Sequence, residues 1–395
     1  MHVVTMKQEF IKLFDHAPEH AYFAPGRINL IGEHIDYNGG LVFPAPITLG
    51  TYALVSRRDD TLVKAYSMNF KDLGLITFDL NNLTYDPAHD WVNYIKGVAK
   101  MLAEEGTPVP SGLNIVVFGD IPNGSGLSSS ASLEMLTTYI FKDLFNFNLS
   151  PVDSALLGKK VENLYIGVNS GIMDQFAIAL GKKDHAVLLN CENLDYGYFP
   201  IKLEHHCIVI MNTNKRRELA DSKYNERRSE CESALSKLQT VLNAPNLCSI
   251  VLADLEAHKN LLTEVEYRRA HHVITENERV KQATECLKAN NLEEFGKLLN
   301  ASHTSLCHDY EVTGKELDAL VEAAWEAPGI VGARMTGAGF GGCSLAIVEK
   351  DSAEAFTKYV GAKYVDAIGY EASFYIASIG DGPTCIQMEG DEAHV

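Results

Sequence analysis

The sequence holds no apolar run long enough to span a membrane. Its first residues, Met-His-Val-Val-Thr-Met-Lys-Gln, carry no apolar core of the kind a secretory leader needs. It also lacks any C-x-x-C pair. The eight cysteines, at 191, 207, 231, 248, 286, 307, 343 and 385, are scattered. That argues against zinc and disulfide frameworks and reads as a set of reduced thiols. Positive charge is scarce, with 34 Lys and Arg against 52 Asp and Glu and a net charge of −18. Neither nucleic acid nor an anionic membrane is therefore an expected main partner. An anionic substrate would have to be met locally by Arg, Lys, backbone N–H groups or metal. Only two tryptophans occur, and Trp91 reads as a core or helix-end packing residue. Internal repeats and low-complexity tracts are absent. The expectation is a cytoplasmic globular protein.

At 395 residues, 46% hydrophobic and 22% charged, the chain is long enough for two domains with sizeable cores. It is organised around Gly119-Asp-Ile-Pro-Asn-Gly-Ser-Gly-Leu-Ser-Ser-Ser-Ala-Ser132. Leu113–Phe118 before it is β-branched and aromatic and reads as a strand. Leu133, Leu136, Ile140 and Leu144 after it recur at helical spacing, so a helix should begin among the serines. Gly124 and Gly126 let the backbone approach a ligand closely. The helix start offers unpaired N–H groups and a positive dipole end, which suit a phosphate. The serine hydroxyls suit phosphate oxygens or a hard cation. Three familiar loops are excluded: no lysine completes a P-loop, Ser129 replaces the last glycine of G-x-G-x-x-G, and Ser130 replaces that of G-x-S-x-G. An ordinary serine N-cap after a glycine turn remains the plain alternative.

Upstream, Arg27, Asn29, Glu33, His34 and Asp36 crowd into ten positions between Tyr22 and Gly40. Buried polar groups need partners, and a polyhydroxylated ligand would supply several at once, with Arg27 on a developing negative charge. A surface loop with a local Arg–carboxylate pair is one competitor. A metal site from Glu33, His34 and Asp36 is another; His34 and Asp36, two apart, are expected on one side of a strand. However, the H-E-x-x-H spacing is missing and no second histidine lies near. The polyol reading accounts for the most groups.

The remaining landmarks fall in order. Residues 7–14 read as a short amphipathic helix, 51–56 and 75–79 as strands, and 91–98 as helix. Ser150-Pro-Val-Asp153 starts another helix, with Ser as N-cap and Pro at the first position, and that helix carries Glu162. Asp174, after the turn Gly167-Val-Asn-Ser-Gly171, either caps the next helix or is a catalytic carboxylate beside the phosphate loop. A second domain is expected from about residue 196, with 215–300 highly charged and largely helical. Lys215-Arg-Arg217 reads as a solvated helix face. Gly337, Gly339 and Gly342 match G-x-G-x-x-G, but the strand Ser344–Val348 follows the glycines. The dinucleotide fingerprint is therefore rejected in favour of a glycine turn packed on a neighbouring loop.

Together these stretches resemble the GHMP small-molecule kinases, and among them the branch that phosphorylates galactose. Gly26-Arg-Ile-Asn-Leu-Ile-Gly-Glu-His-Ile-Asp-Tyr37 looks like that branch's sugar signature, Gly124–Ala131 like the phosphate loop, and Gly337–Gly342 like the third motif. Gly171-Ile-Met-Asp-Gln175 and Tyr224-Asn-Glu-Arg-Arg228 also match. The resemblance implies transfer of the γ-phosphoryl group of ATP, with Mg²⁺, to the O1 hydroxyl of α-D-galactose. Asp174 would be the catalytic carboxylate and Arg27 would stabilise charge on O1 and the phosphoryl group. Glu33, His34, Ile35, Asp36 and Tyr224 would bind the sugar. Gly124, Ser125, Gly126, Leu127, Ser128, Ser129 and Ser130 would wrap the phosphates, Ser67 and Trp91 would meet the adenosine, and Ser130 with Glu162 would hold Mg²⁺. The implied fold is two-domain α+β: an N-terminal mixed-sheet domain over 1–195, a C-terminal α+β domain over 196–395, and the active site in the cleft between. Roughly the last forty residues are expected to pack across both domains. A monomer is expected. Alternatives are a kinase for another sugar such as N-acetylgalactosamine, and a non-catalytic galactose sensor. Known sensors of this type lack a Ser-Ala pair in the phosphate loop, whereas Ser130 and Ala131 are present here.

Overall fold

A computed structural model describes residues 2–122, 125–215, 220–389 and 392–393. The chain opens with α1 (His2–Phe14), then β1 (His20–Asn29), β2 (Leu41–Val42), β3 (Pro44–Arg57), β4 (Leu62–Ser67) and β5 (Ile76–Asp79). It continues through α2 (Val92–Glu104), β6 (Leu113–Gly119), α3 (Ser129–Phe145), α4 (Pro151–Lys160) and α5 (Met173–Ala179). Next come β7 (His185–Asn190), β8 (Tyr196–Pro200) and β9 (His206–Asn212). Four helices follow, α6 (Ala220–Leu238), α7 (Leu252–Ala257), α8 (Glu264–Lys288) and α9 (Leu292–Ser305). The chain closes with α10 (Gly314–Trp325), β10 (Ile330–Thr336), β11 (Cys343–Glu349), α11 (Ala353–Ile368), β12 (Ser373–Ala377) and β13 (Thr384–Ile386). This is an α+β fold.

Among the described residues three sheets of three or more strands carry it, beside a two-stranded pair, Met388–Glu389 with Glu392–Ala393, near the chain end. The first runs β13-β1-β3-β6-β4-β5, mixed because β4 lies parallel to β6 while its other pairs are antiparallel. The second is antiparallel, β10-β11-β9-β12, and the third joins β2, β7 and β8. β13 pairs with β1, Ala21 opposite Ile386, so the end of the chain closes the edge of the first sheet. An edge strand left open would expose unpaired N–H and C=O groups. The largest apolar cluster draws Ile31 and Phe43 from one side of residue 195 and Ile208 and Leu345 from the other. One continuous core therefore joins the two halves of the chain. All eight cysteines are free. Among the described residues, no helix is long and apolar enough to cross a membrane.

α1 begins well before residue 7, because Val3, Met6 and Phe10 form one buried face against Tyr52, Leu54 and Val116 of the sheet. Tertiary packing overrides the weak helix propensity of its opening His-Val-Val-Thr. α4 starts as its sequence dictates. The Ser150 hydroxyl accepts from the Asp153 N–H at 3.1 Å and Asp153 accepts from the Ser150 N–H at 3.0 Å. Replacing Ser150 with Ala should cost about 1 kcal/mol of stability. Urea unfolding at constant m-value measures this, and an unchanged midpoint would contradict it.

Candidate active site

β6 ends where the phosphate loop begins, and α3 starts within the serines, so the loop leads straight into a helix N-terminus. Gly124 lies outside the described residues. Gly126 and Ser128 take left-handed backbones, φ 75° and 64°. Only glycine does so without strain; a serine held there marks a loop shaped by its surroundings. Two glycine contacts fix it. A Cβ on Gly26 would sit 2.7 Å from the Leu127 carbonyl oxygen, and one on Gly337 would sit 2.6 Å from that of Gly126. The third glycine-rich turn thus packs on the phosphate loop. A strand, β10, precedes its glycines as well as β11 following them, so the turn closes a β-hairpin and no helix follows.

Asp174 lies inside α5, whose N-cap is Ile172, so its carboxylate caps nothing. It accepts instead from Arg27 through Nε and Nη2, both at 2.8 Å, and from the Ser128 hydroxyl. Arg27, 3% exposed, also donates from Nη1 to the Gly126 carbonyl at 2.8 Å. A bidentate guanidinium–carboxylate pair of this kind is geometrically specific. It places a fixed positive charge and an acceptor oxygen side by side at the phosphate loop.

The pair stands on a cavity of about 330 Å³ that Glu33, His34, Asp36, Tyr37, Asp174 and Tyr224 line, together with Gly171 and Ala338. Residues after β1 do not continue as a strand, contrary to the reading of His34 and Asp36. His34 is left-handed at φ 62°, and Asp36–Asn38 forms a single tight helical turn. Ile35 is wholly buried in the core and does not line the cavity. Burial, with the negative charges of Asp174 and Glu33 nearby, raises the Asp36 carboxyl to about 6. Burial also pushes the Tyr224 phenol well above its usual range, so it stays a neutral hydroxyl.

This loop is clamped from behind by residues far along the chain. Arg334 on β10, fully buried, donates to Glu33 Oε2 at 2.9 Å and to the carbonyls of Asn29 and Leu30. Glu276 of α8 accepts from the Gly32 N–H at 2.9 Å, and His272 Nε2 lies 3.1 Å from the Glu33 carbonyl. Sequence reading missed all three. The signal for Arg334 is a lone charge inside the apolar run Ile330–Thr336; nothing local marks the other two.

A second cavity of about 400 Å³ opens on the other side of the loop, lined by Ser67, Phe70, Tyr85, Trp91, Ser129 and Ser130 among others. Its aromatic walls suit a planar base. Trp91 is 8% exposed and precedes the first turn of α2. Glu162 does not lie in α4 itself. The helix widens after Lys160 into a π-helical turn, Val161–Ile166, that swings Glu162 into the first cavity. Such single turns are frequent at functional sites. Glu162 accepts from Ser130 at 3.0 Å and from Ser170, joining the two cavities, and burial pushes its carboxyl up against those hydroxyls. Hard oxygens at a helix start are a donor set that fits Mg²⁺. Lys215 precedes α6 and pairs with Glu316 at 2.9 Å, so it is not on a helix face; Arg216 and Arg217 lie outside the described residues. Ser125 and Leu127 are buried within the loop.

A mixed sheet feeding a glycine–serine loop into a helix, with a second glycine hairpin packed on it, is the architecture of a GHMP kinase. Family models for the GHMP kinase N-terminal domain and C-terminal domain match residues 93–182 and 283–366. The galactokinase galactose-binding signature matches residues 8–57. The galactokinase of Clostridium perfringens strain 13 is 58% identical over 385 residues, 97% of this chain and 100% of its own. That of Lactiplantibacillus plantarum is 54% identical over 384 residues, 97% and 99% of the two chains. The structure of Lactococcus lactis galactokinase complexed with galactose superposes with a TM-score of 0.95 at 49% identity, covering 97% of this chain and 100% of that one. Methanococcus jannaschii mevalonate kinase, at 19% identity and a TM-score of 0.67 over 92% and 99% of the two chains, shares the fold. The chain belongs to the galactokinase family.

Proposed function

We propose that this protein transfers the γ-phosphoryl group of MgATP to the O1 hydroxyl of α-D-galactose, giving galactose 1-phosphate and ADP. The observation that carries the reading is the Arg27–Asp174 pair, set between a polar cavity of sugar size and the phosphate loop. Galactose occupies the first cavity, its hydroxyls on Glu33, Asp36 and Tyr224. The adenosine part of ATP takes the second, against Ser67 and Trp91, with its phosphates along Ser125–Ser130.

O1 attacks the γ-phosphorus, the bond to the β,γ-bridging oxygen breaks, ADP leaves, and the O1 proton passes to Asp174. A carboxylate with a reference pKa of about 3.9 is a weak base for a sugar hydroxyl. Arg27, beside both, lowers the hydroxyl's pKa and neutralises charge on O1 as the phosphoryl group transfers. Catalysis of this kind is mostly positioning and charge neutralisation. Mg²⁺, when bound, adds positive charge at the phosphate oxygens; Ser130 and Glu162 would hold it.

The proposal extends to a monomer, to a cytoplasmic location, with which eight free thiols agree, and to two domains meeting near residue 195. The test is an ADP-release assay with MgATP against galactose, N-acetylgalactosamine, glucose, mevalonate and homoserine. Turnover should be strongest on galactose, stop with excess chelator and return with added Mg²⁺. Silence on all five, with galactose still binding, would replace the kinase by a sensor.

A further inference from the structure

The imidazole of His34 faces the cavity, and a histidine there is naturally taken for a sugar ligand. Its hydrogen bonds leave no room for that. Nε2 lies 3.1 Å from the Ala338 carbonyl. A carbonyl only accepts, so Nε2 carries the hydrogen and the neutral ring must accept at Nδ1. Tyr37 Oη, 2.8 Å from Nδ1, is then the donor. Tyr37 in turn accepts from Tyr310 Oη at 2.8 Å, and Tyr310 from the Cys231 thiol at 3.1 Å. Every bond in the chain has one permitted direction. Burial, with the positive groups Arg227 and Arg334 and the neighbouring His272, drives the imidazole down to about 3.

Two further observations say what the ring does. His34 holds a left-handed backbone at φ 62°, uncommon for a residue with a side chain, while Glu33 and Asp36 on either side line the cavity. Ala338, its partner, adjoins Gly337, which touches the Gly126 carbonyl; that carbonyl accepts from Arg27. The contacts therefore run unbroken from the sugar loop through the third glycine turn to the catalytic pair.

We propose that the His34 imidazole is a positioning residue and not a sugar ligand: anchored at both nitrogens, it fixes the sugar loop and the third glycine turn in register with the phosphate loop. The inference rests on the kinase reading of the cleft. The first test is ¹⁵N-histidine NMR of the intact protein, with the His34 signals assigned by their loss in His34→Asn. The ring should stay the neutral Nε2–H tautomer from about pH 6 to 9, and its Nδ1 signal should not move on saturation with galactose. An Nδ1–H or doubly protonated ring, or an Nδ1 signal that shifts as galactose binds, would overturn it.

Kinetics supply the second test. Asn tolerates the left-handed backbone, and His34→Asn should lower kcat about tenfold to a hundredfold, more than it raises the KM for galactose. A raised KM with wild-type kcat is the signature of a plain ligand and would overturn the proposal. Tyr310 does not line the cavity, so Tyr310→Phe serves if the first variant does not fold. It should move the Nδ1 signal and lower kcat, and wild-type values of both would count against the proposal. Absence of galactose turnover in the wild type would instead sink the kinase reading and leave the tautomer result standing.

Discussion

Asp174→Ala should abolish turnover, a loss of at least about a thousandfold in kcat, while the protein still binds MgATP. The carboxylate touches Arg27, Ser128 and the sugar cavity together. In the proposed mechanism its removal deprives O1 of its proton acceptor, and it releases the guanidinium the carboxylate orients. Arg27 would keep its hydrogen bond to the Gly126 carbonyl but lose both bonds to a carboxylate, and breaking a buried ion pair costs about 3–5 kcal/mol of stability. Nucleotide binding by calorimetry and a thermal melt therefore belong beside the rate measurement. A folded variant with wild-type kcat would remove Asp174 from the mechanism.

Gly171→Ala should weaken galactose about tenfold to a hundredfold and leave ATP affinity unchanged. A Cβ on Gly171 would stand 1.8 Å from Asp36 Oδ2, well inside contact distance. Either the Asp36 carboxylate or the turn before α5 must move. The displaced group would lose hydrogen bonds to the sugar worth about 1.5–3 kcal/mol each for a charged acceptor. Gly171 lies on the sugar side of the loop and does not line the second cavity, which is why the effect should divide between substrates. Equal KM values for galactose in variant and wild type would show that Asp36 does not hold the sugar.

What sequence reading reached, and what it missed, divides by range. The strand–loop–helix around Gly126, the Ser150 cap and the close packing of the Gly337 turn follow from backbone rules that act within a few residues, and each is found where the spacing puts it. The spacing of His34 and Asp36 reads as one side of a strand, whereas the chain turns there. Its left-handed turn depends on Ala338, 304 positions away, and on Arg334, 301 positions from Glu33. No local pattern encodes those partners. Glu162 reads as part of a regular helix because the π-helical turn leaves no mark in apolar spacing. Local sequence leaves Asp174 open between a helix cap and a catalytic carboxylate; in the fold its oxygens turn to Arg27 and cap nothing. Family resemblance brought these residues together on paper, and the structure supplies the reason they act together.

The most direct test of the account is the identity of the product. Incubated with MgATP and galactose, the enzyme should yield a single sugar phosphate whose phosphorus resonance is split by the anomeric proton, which places the group on O1 beside Asp174 and Arg27. Phosphate on any other hydroxyl, or ADP released without a sugar phosphate, would contradict it.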